Sequence, residues 1–367
     1  MSFEKIKKNF GFGCMRLKMD GDEVDHTEFC RMIDAFMDAG FNYFDTAHGY
    51  IDGKSELAVR ECLTSRYERE DFVLANKLSM WYINEESDIL PFFENQLKCC
   101  GVEYFDFYLF HAMNREFYEK CLDLHAFDIV RSLRDEGKIK HIAMSFHDTA
   151  DVLDRILTEQ PDIEAVQLQI NYLDYDDPTV QSKACYDVAV KHGKAVLVME
   201  PVKGGTLVNL PSRAAELFDR LGGGSYASYA LRYAASFPAV FMVLSGMGSM
   251  EMVKDNTDTM SNFVPLSDEE LLATDKAREI IREANQIGCT ACNYCAEVCP
   301  EGIPISDIFR AYNAFVSARA SRSETRGALE ALPKAARECI ECGGCESVCP
   351  QVIEIREKLK LIAKRFK

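Results

Sequence analysis

The 367-residue chain has no apolar run approaching the roughly 20 residues that a membrane-spanning helix needs; its longest nearly apolar stretch, near Phe237 to Met247, falls far short. No membrane span is expected. The opening residues, MSFEKIKKNFGFG, carry no apolar run of the secretory kind, so the expected location is the cytoplasm. Positive charge is scarce: 42 Lys and Arg face 59 Asp and Glu, a net charge of −17. That balance disfavours nucleic acid and anionic membrane surfaces as partners, since both need a positive face. Two phosphate-binding signatures are missing. No G-x-G-x-x-G follows any strand candidate, because Gly11-Phe-Gly13 lacks the third glycine, and no G-x4-G-K-[ST] occurs. A C-x3-C-x2-C order is absent too, so a radical S-adenosylmethionine site has no support.

Cysteine, in contrast, is abundant. Fifteen occur, and eight fall into two runs, Cys289-x2-Cys292-x2-Cys295-x3-Cys299-Pro300 and Cys339-x2-Cys342-x2-Cys345-x3-Cys349-Pro350. The other seven (Cys14, Cys30, Cys62, Cys99, Cys100, Cys121 and Cys185) show no ligand spacing and mostly read as small buried apolar side chains. In each run, three thiolates at two-residue gaps can wrap one corner of a cubane cluster, and the fourth, before proline, points towards a second cluster. Zinc hooks use one or two C-x2-C pairs and not three cysteines with a trailing Cys-Pro, twice. The spacing resembles the bacterial two-cluster ferredoxin module. By that resemblance Cys289, Cys292, Cys295 and Cys349 hold one 4Fe–4S cluster, and Cys339, Cys342, Cys345 and Cys299 hold the other. Between Cys299 and Cys339 the apolar residues fall at helical spacing, with Ser306 and Ser323 as candidate caps, so the module is expected to be mostly helical. A last helix from about Val352 carries Arg356, Lys358, Lys360, Lys364, Arg365 and Lys367. It is either an ordinary basic carboxyl end or a patch for an acidic redox partner protein.

The first 265 or so residues alternate short apolar strand candidates (FGFGCM, FNYFD, FVLANK, FDFYLF, IAMSF, AVQLQI, AVLVM, VFMVL) with amphipathic stretches such as HTEFCRMIDAFMDAG, closed by Gly40. Eight such units predict an α/β fold, a (β/α)8 TIM barrel over residues 1–266, followed at 267–367 by a linker helix and the ferredoxin-like domain. Chemistry in a barrel sits at the carboxyl ends of the strands. There the chain places Asp45, then Tyr50 in the loop, Lys77 and His111. An ammonium lowers the pKa of a neighbouring phenol, a carboxylate keeps that ammonium charged and oriented, and an imidazole can hydrogen-bond a carbonyl oxygen. Asp45 and Lys77 alone read as a structural ion pair; Tyr50 and His111 beside them favour catalysis.

The pattern FDTAHGY with Lys77 and His111 resembles the aldo-keto reductase family, across roughly residues 5 to 260. The resemblance implies Asp45, Tyr50, Lys77 and His111 as the catalytic tetrad, with Tyr50 as proton donor. It places Gly13, Cys14 and Met15 at the nicotinamide ribose, Ser145 and Gln167 at the carboxamide, Met199 at the nicotinamide face, and Gly246 and Asn256 at the adenosine end. Phe146 stands where the family has asparagine, and Met252 where it has the arginine that grips a 2′-phosphate. Losing that charge-assisted contact makes NADH a candidate beside NADPH, and flavin stays open. His48, His147 and Trp81 also fall near the mouth, each either lining the pocket or serving packing and solvation. Gly222-Gly223-Gly224 reads as a hinge or a phosphate cradle.

Ser267-Asp-Glu-Glu270 forms a capping box opening a helix to about Ile287, closed by Gly288 and expected to carry Cys289 back towards the mouth. Residues 268–367 hold 15 basic and 16 acidic side chains against 27 and 43 in the rest, so the acidity belongs to the barrel. The leading reading is an oxidoreductase interconverting a small-molecule carbonyl and alcohol with a nicotinamide cofactor, the clusters serving as an electron conduit. The alternatives are an electron-transfer or redox-sensing protein whose barrel binds nicotinamide without ordinary turnover, and clusters that are purely structural.

Overall fold

A computed structural model describes residues 3–284 and 286–366; Lys367, counted in the last basic helix, and Asn285 lie outside it. Eight parallel strands close a barrel: β1 (Phe10–Gly13), β2 (Tyr43–Asp45), β3 (Val73–Leu78), β4 (Phe105–Met113), β5 (Ile139–Phe146), β6 (Ala165–Gln169), β7 (Ala195–Met199) and β8 (Val240–Gly246). They pair in chain order, with β8 against β1. A strand in this setting needs apolar residues on both faces. One face of each fills the barrel, where Tyr43, Val73, Ala75, Phe107, Leu109, Ala143, Ala165, Leu197, Met242 and Leu244 pack together. Phe3 closes that interior, its ring 5.0 Å from Phe107 and 4.6 Å from Phe241. Gly11 contributes space: a Cβ there would fall 2.6 Å from Leu244 and 2.8 Å from Tyr43. The other face meets the helices, as where Phe12 lies 5.5 Å edge-on to Phe36 of helix His26–Asp38.

Helix Lys54–Val59 continues into a π-helical turn, Arg60–Thr64. Cys62 on that turn forms a disulfide with Cys30 of helix His26–Asp38. These two of the seven scattered cysteines are therefore a linked pair and not isolated apolar side chains.

Two compact units emerge, Met1–Pro201 with Leu231–Pro265, and Val202–Ala230 with Leu266–Lys367. The second takes in the excursion between β7 and β8 as well as the carboxyl-terminal segment. Within it, helix Ser212–Leu221 packs against helix Asp268–Glu283, and Gly222, at φ +63, closes the former. The Ser267–Glu270 capping box is present, but that helix ends at Glu283 with Ala284 as its cap, short of Ile287 and Gly288.

The cysteine-bearing half of this unit repeats itself at an offset of 50 residues. Short helices Tyr294–Glu297 and Gly344–Ser347 correspond, as do the longer helices starting at Ile305 and Ile355. Matching backbone bonds run from Gly302 N–H to Cys299 C=O and from Val352 N–H to Cys349 C=O. Matching left-handed residues are Asn293 and Gly343, then Gly302 and Val352. The last helix therefore starts at Ile355, three residues beyond Val352. Helix Ile305–Val316 begins after Pro304, so Ser306 lies inside it and bonds Asn293 instead of capping. The cap of helix Arg322–Glu330 is Ser321, in a capping box with Glu324, and not Ser323. Ile303, Ile305, Ile308, Phe309, Ile355, Leu359 and Ile362 form the apolar core of this half. Among the described residues no helix is long and apolar enough to cross a membrane.

Candidate functional site

β2 ends at Asp45, opposite Ala75 in the ladder, and β3 continues past it to Leu78. That register brings Lys77 Nζ to 2.6 Å from Asp45 Oδ1 and 2.8 Å from the Thr46 carbonyl oxygen. Tyr50, in the turn after β2, lies with its ring centroid 4.8 Å from Lys77 Nζ. His111, near the end of β4, stands edge-on to Tyr50 at 5.9 Å and 78°. The four residues expected to act together do converge, and all four are buried. Burial opposes charge on both members of the Lys77–Asp45 pair, pushing the carboxyl up and the ammonium down, while their contact resists both changes. Burial, helped by the Lys77 charge, holds His111 well below the usual histidine range, so the ring is neutral.

Several supporting residues lay outside the sequence expectation. Ser79 Oγ is 2.7 Å from His111 Nδ1. The fully buried Glu56 receives the Asn76 amide at 2.8 Å, and its other oxygen pairs with His48 Nδ1 at 2.8 Å, which raises the His48 pKa. Gln96 ties Asn76 to the Lys77 carbonyl with bonds of 3.0 Å each. The signal for this network was Asn76, a second polar residue beside Lys77 in the buried strand VLANKL. Trp81 packs on His111 at 4.7 Å between centroids, so it belongs to the mouth. His147 is driven down to about 4 by burial.

Of the expected cofactor contacts, Gly13 pairs in register with both Asp45 and Gly246, which puts all three at the rim. Cys14 is fully buried, its N–H bonded to the Asp45 carbonyl at 2.8 Å and its thiol pushed up by burial. Met15 and Met199 are half-buried. Ser145 and Gln167 are register partners on β5 and β6, both buried; the Ser145 oxygen accepts the Ala112 N–H at 2.7 Å, which leaves its own O–H to donate. Asn256 is buried, and its amide bonds Ser245 Oγ at 3.1 Å. Met252 is half exposed, and Lys254 faces a groove with Asp258 and Ser261. One cation missed from sequence is Arg16, whose side chain lies along Gly246 and whose guanidinium meets Glu200 at 3.1 Å. Hydroxyl, amide and guanidinium donors around one rim suit a dinucleotide.

In the second unit, Cys299, Cys339, Cys342 and Cys345 line one cavity with Gly343, Arg356 and Leu359. Cys295 feels burial first and then the charges of Cys292, Cys289, Cys349 and Cys345, all of which raise its pKa. Cys299, Cys339, Cys342 and Cys345, which line that cavity, are the four that the resemblance assigns to one cluster. Among the described residues no three donors converge on a single metal ion.

Residues 9–279 match the model of the aldo/keto reductase family, and residues 288–353 match a 4Fe-4S dicluster domain. An uncharacterized oxidoreductase of Bacillus subtilis strain 168, YqkF, is 23% identical over 297 residues, covering 72% of this chain and 90% of its own. Norsolorinic acid reductase B of Dothistroma septosporum is 46% identical over 57 residues, 16% of this chain and 14% of that protein. Among solved structures, an aldo-keto reductase from Bacillus halodurans in its holo form has a TM-score of 0.61 at 24% identity, covering 73% of this chain and 91% of its own. One from Klebsiella pneumoniae in complex with NADPH has a TM-score of 0.59 at 20% identity, with shares of 73% and 90%.

Proposed function

The chain belongs to the aldo/keto reductase family, with a 4Fe–4S dicluster domain following later in the sequence, and from that premise we propose that it interconverts a small-molecule carbonyl and its alcohol using nicotinamide, with two clusters conducting electrons. The observation that carries this reading is the Lys77 ammonium, bonded to Asp45 at 2.6 Å while facing the Tyr50 ring at 4.8 Å. Bound nicotinamide supplies or takes up hydride, and the clusters exchange single electrons.

The residues of the mouth do the rest. Tyr50 gives its phenolic proton to the carbonyl oxygen as that oxygen gains charge, and takes it back in the reverse direction. Lys77 stabilises the phenolate left behind, and Asp45 with the Thr46 carbonyl fixes the ammonium in place. His111, neutral and taking the Ser79 O–H at Nδ1, carries its own proton on Nε2 and donates from there to the same oxygen; this tautomer is assigned from its partner. Trp81 walls the His111 side and keeps water off the ring. Ser145 and Gln167 would hold a carboxamide, and Arg16 a phosphate by leaving Glu200. The crossed groups of Cys289, Cys292, Cys295 and Cys349, and of Cys339, Cys342, Cys345 and Cys299, would hold the clusters.

Steady-state reduction of simple aldehydes with NADH and with NADPH tests the reading and assigns the preference. Tyr50→Phe is expected to lower kcat at least about 100-fold with dinucleotide binding unchanged. Turnover kept in Tyr50→Phe contradicts it.

A further inference from the structure

Lys203 is an unusual lysine. It is 4% exposed, and its backbone sits at φ +45, in the left-handed region that favours glycine. Gly204 and Gly205 follow it at φ +58 and +92. The turn they form lies flush on the segment carrying Cys289. A Cβ on Gly204 would fall 2.3 Å from the Thr290 carbonyl oxygen, and a Cβ on Gly288 would fall 3.9 Å from Lys203 Nζ. The same ammonium donates to the Gln351 side-chain oxygen at 3.2 Å. Gly288 immediately precedes Cys289, and Gln351 follows Cys349 by two positions. Lys203 is thus buried between the two distant chain segments that supply ligands to one and the same cluster.

A cubane held by four thiolates is anionic, and each reduction adds a further negative charge. A fixed, desolvated cation beside it favours the reduced form, because local charge, hydrogen bonding and burial set the potential. We infer that Lys203 sets the reduction potential of the cluster held by Cys289, Cys292, Cys295 and Cys349, and clamps the two segments that hold it. This rests on the two-cluster reading above. The other cysteine group has a cation of its own in Arg356, which pairs with Glu346 at 2.7 Å. Lys203 touches the segments that carry Cys289 and Cys349, so its effect is expected chiefly on the cluster they would hold.

The test is a mediated redox titration followed by electron paramagnetic resonance. It uses the full chain purified without oxygen, as wild type, Lys203→Met and Lys203→Arg, with Cys342→Ser identifying the signal of the first cluster. At the potential where the first cluster of the wild type is half reduced, Lys203→Met is expected to show about a tenfold lower ratio of reduced to oxidised form. That is 59 mV for a one-electron couple. The second cluster stays unchanged, and Lys203→Arg lies near wild type. Selective loss of the first cluster in Lys203→Met, restored by Lys203→Arg, also supports the inference. Unchanged potentials, both potentials moving together, or a loss that Lys203→Arg does not restore overturns it. A wild type without two clusters instead overturns the reading beneath it, which iron analysis detects before any variant is compared.

Discussion

At the mouth of the barrel, burial acts on His111 and His147 in one direction. His111 is held well below the ordinary value of 6.5, and His147 down to about 4. As pH falls below about 6.5 the unfolded chain takes up protons on these rings while the folded chain does not. The unfolded state then binds more protons, so this contribution lowers stability from pH 6.5 down towards 4. His48, raised by its bond to Glu56, contributes with the opposite sign: its share is full below 6.5 and is lost as pH rises through its folded value. A difference between variants separates them. Denaturant midpoints read by Trp81, the only tryptophan, are expected to fall between about pH 7 and pH 5 less steeply in His147→Asn than in wild type. Identical slopes contradict the assignment. Asp45, Lys77 and His111 were legible in the sequence because each is polar near the end of an apolar strand, where a barrel displays its chemistry, and Tyr50 because it follows Asp45 in the adjoining loop. Glu56, Ser79 and Arg16 were not, because their meaning comes from partners on other elements: Glu56 reads as an ordinary helix-surface carboxylate until Asn76 and His48 close around it.

Among the elements, the turn after β7 carries the most constraint. Gly204 combines a left-handed φ of +58 with a backbone neighbour where a Cβ would go, whereas Gly222 has a similar φ of +63 and nothing within 4 Å of that position. Alanine at either site carries the left-handed strain of about 1–2 kcal/mol, and only Gly204→Ala must also displace the segment carrying Cys289. Gly204→Ala is expected to lose about half its iron, one cluster of two, while Gly222→Ala keeps it; equal iron in both contradicts the role given to this turn. Strand order and barrel closure followed from the alternation of apolar strands and amphipathic helices. The ends of elements were harder, because several residues near each boundary carry the right chemistry. Ser321 wins over Ser323 as cap because Ser321-x-x-Glu324 completes a box while Ser323-x-x-Arg326 does not. The excursion at residues 202–230 was invisible in sequence, since nothing in PVKGGT announces that Gly204 faces Thr290.

Over the whole chain, the net charge of −17 belongs almost wholly to the barrel portion, and the basic last helix offers less free charge than its composition suggests. Arg356 pairs with Glu346, Lys360 with Glu341 and Glu357, and Arg365 lies over the Phe315 ring. These contacts bind the helix to its own domain, which weakens the case for a docking patch there. On the proposed function, a hydride-transfer barrel and a one-electron relay work together in one molecule. Hydride moves two electrons and each cluster takes one, so the two halves need a bound flavin or a substrate that tolerates a radical between them. The most direct test is to add NADH or NADPH to the oxygen-free protein, with and without aldehyde, and follow cluster absorbance and electron resonance together. The absorbance is expected to bleach and a reduced-cluster signal to grow at the expense of reduced nicotinamide. Aldehyde turnover with the clusters left fully oxidised contradicts it, and describes a carbonyl reductase whose iron–sulfur domain serves structure or a separate circuit.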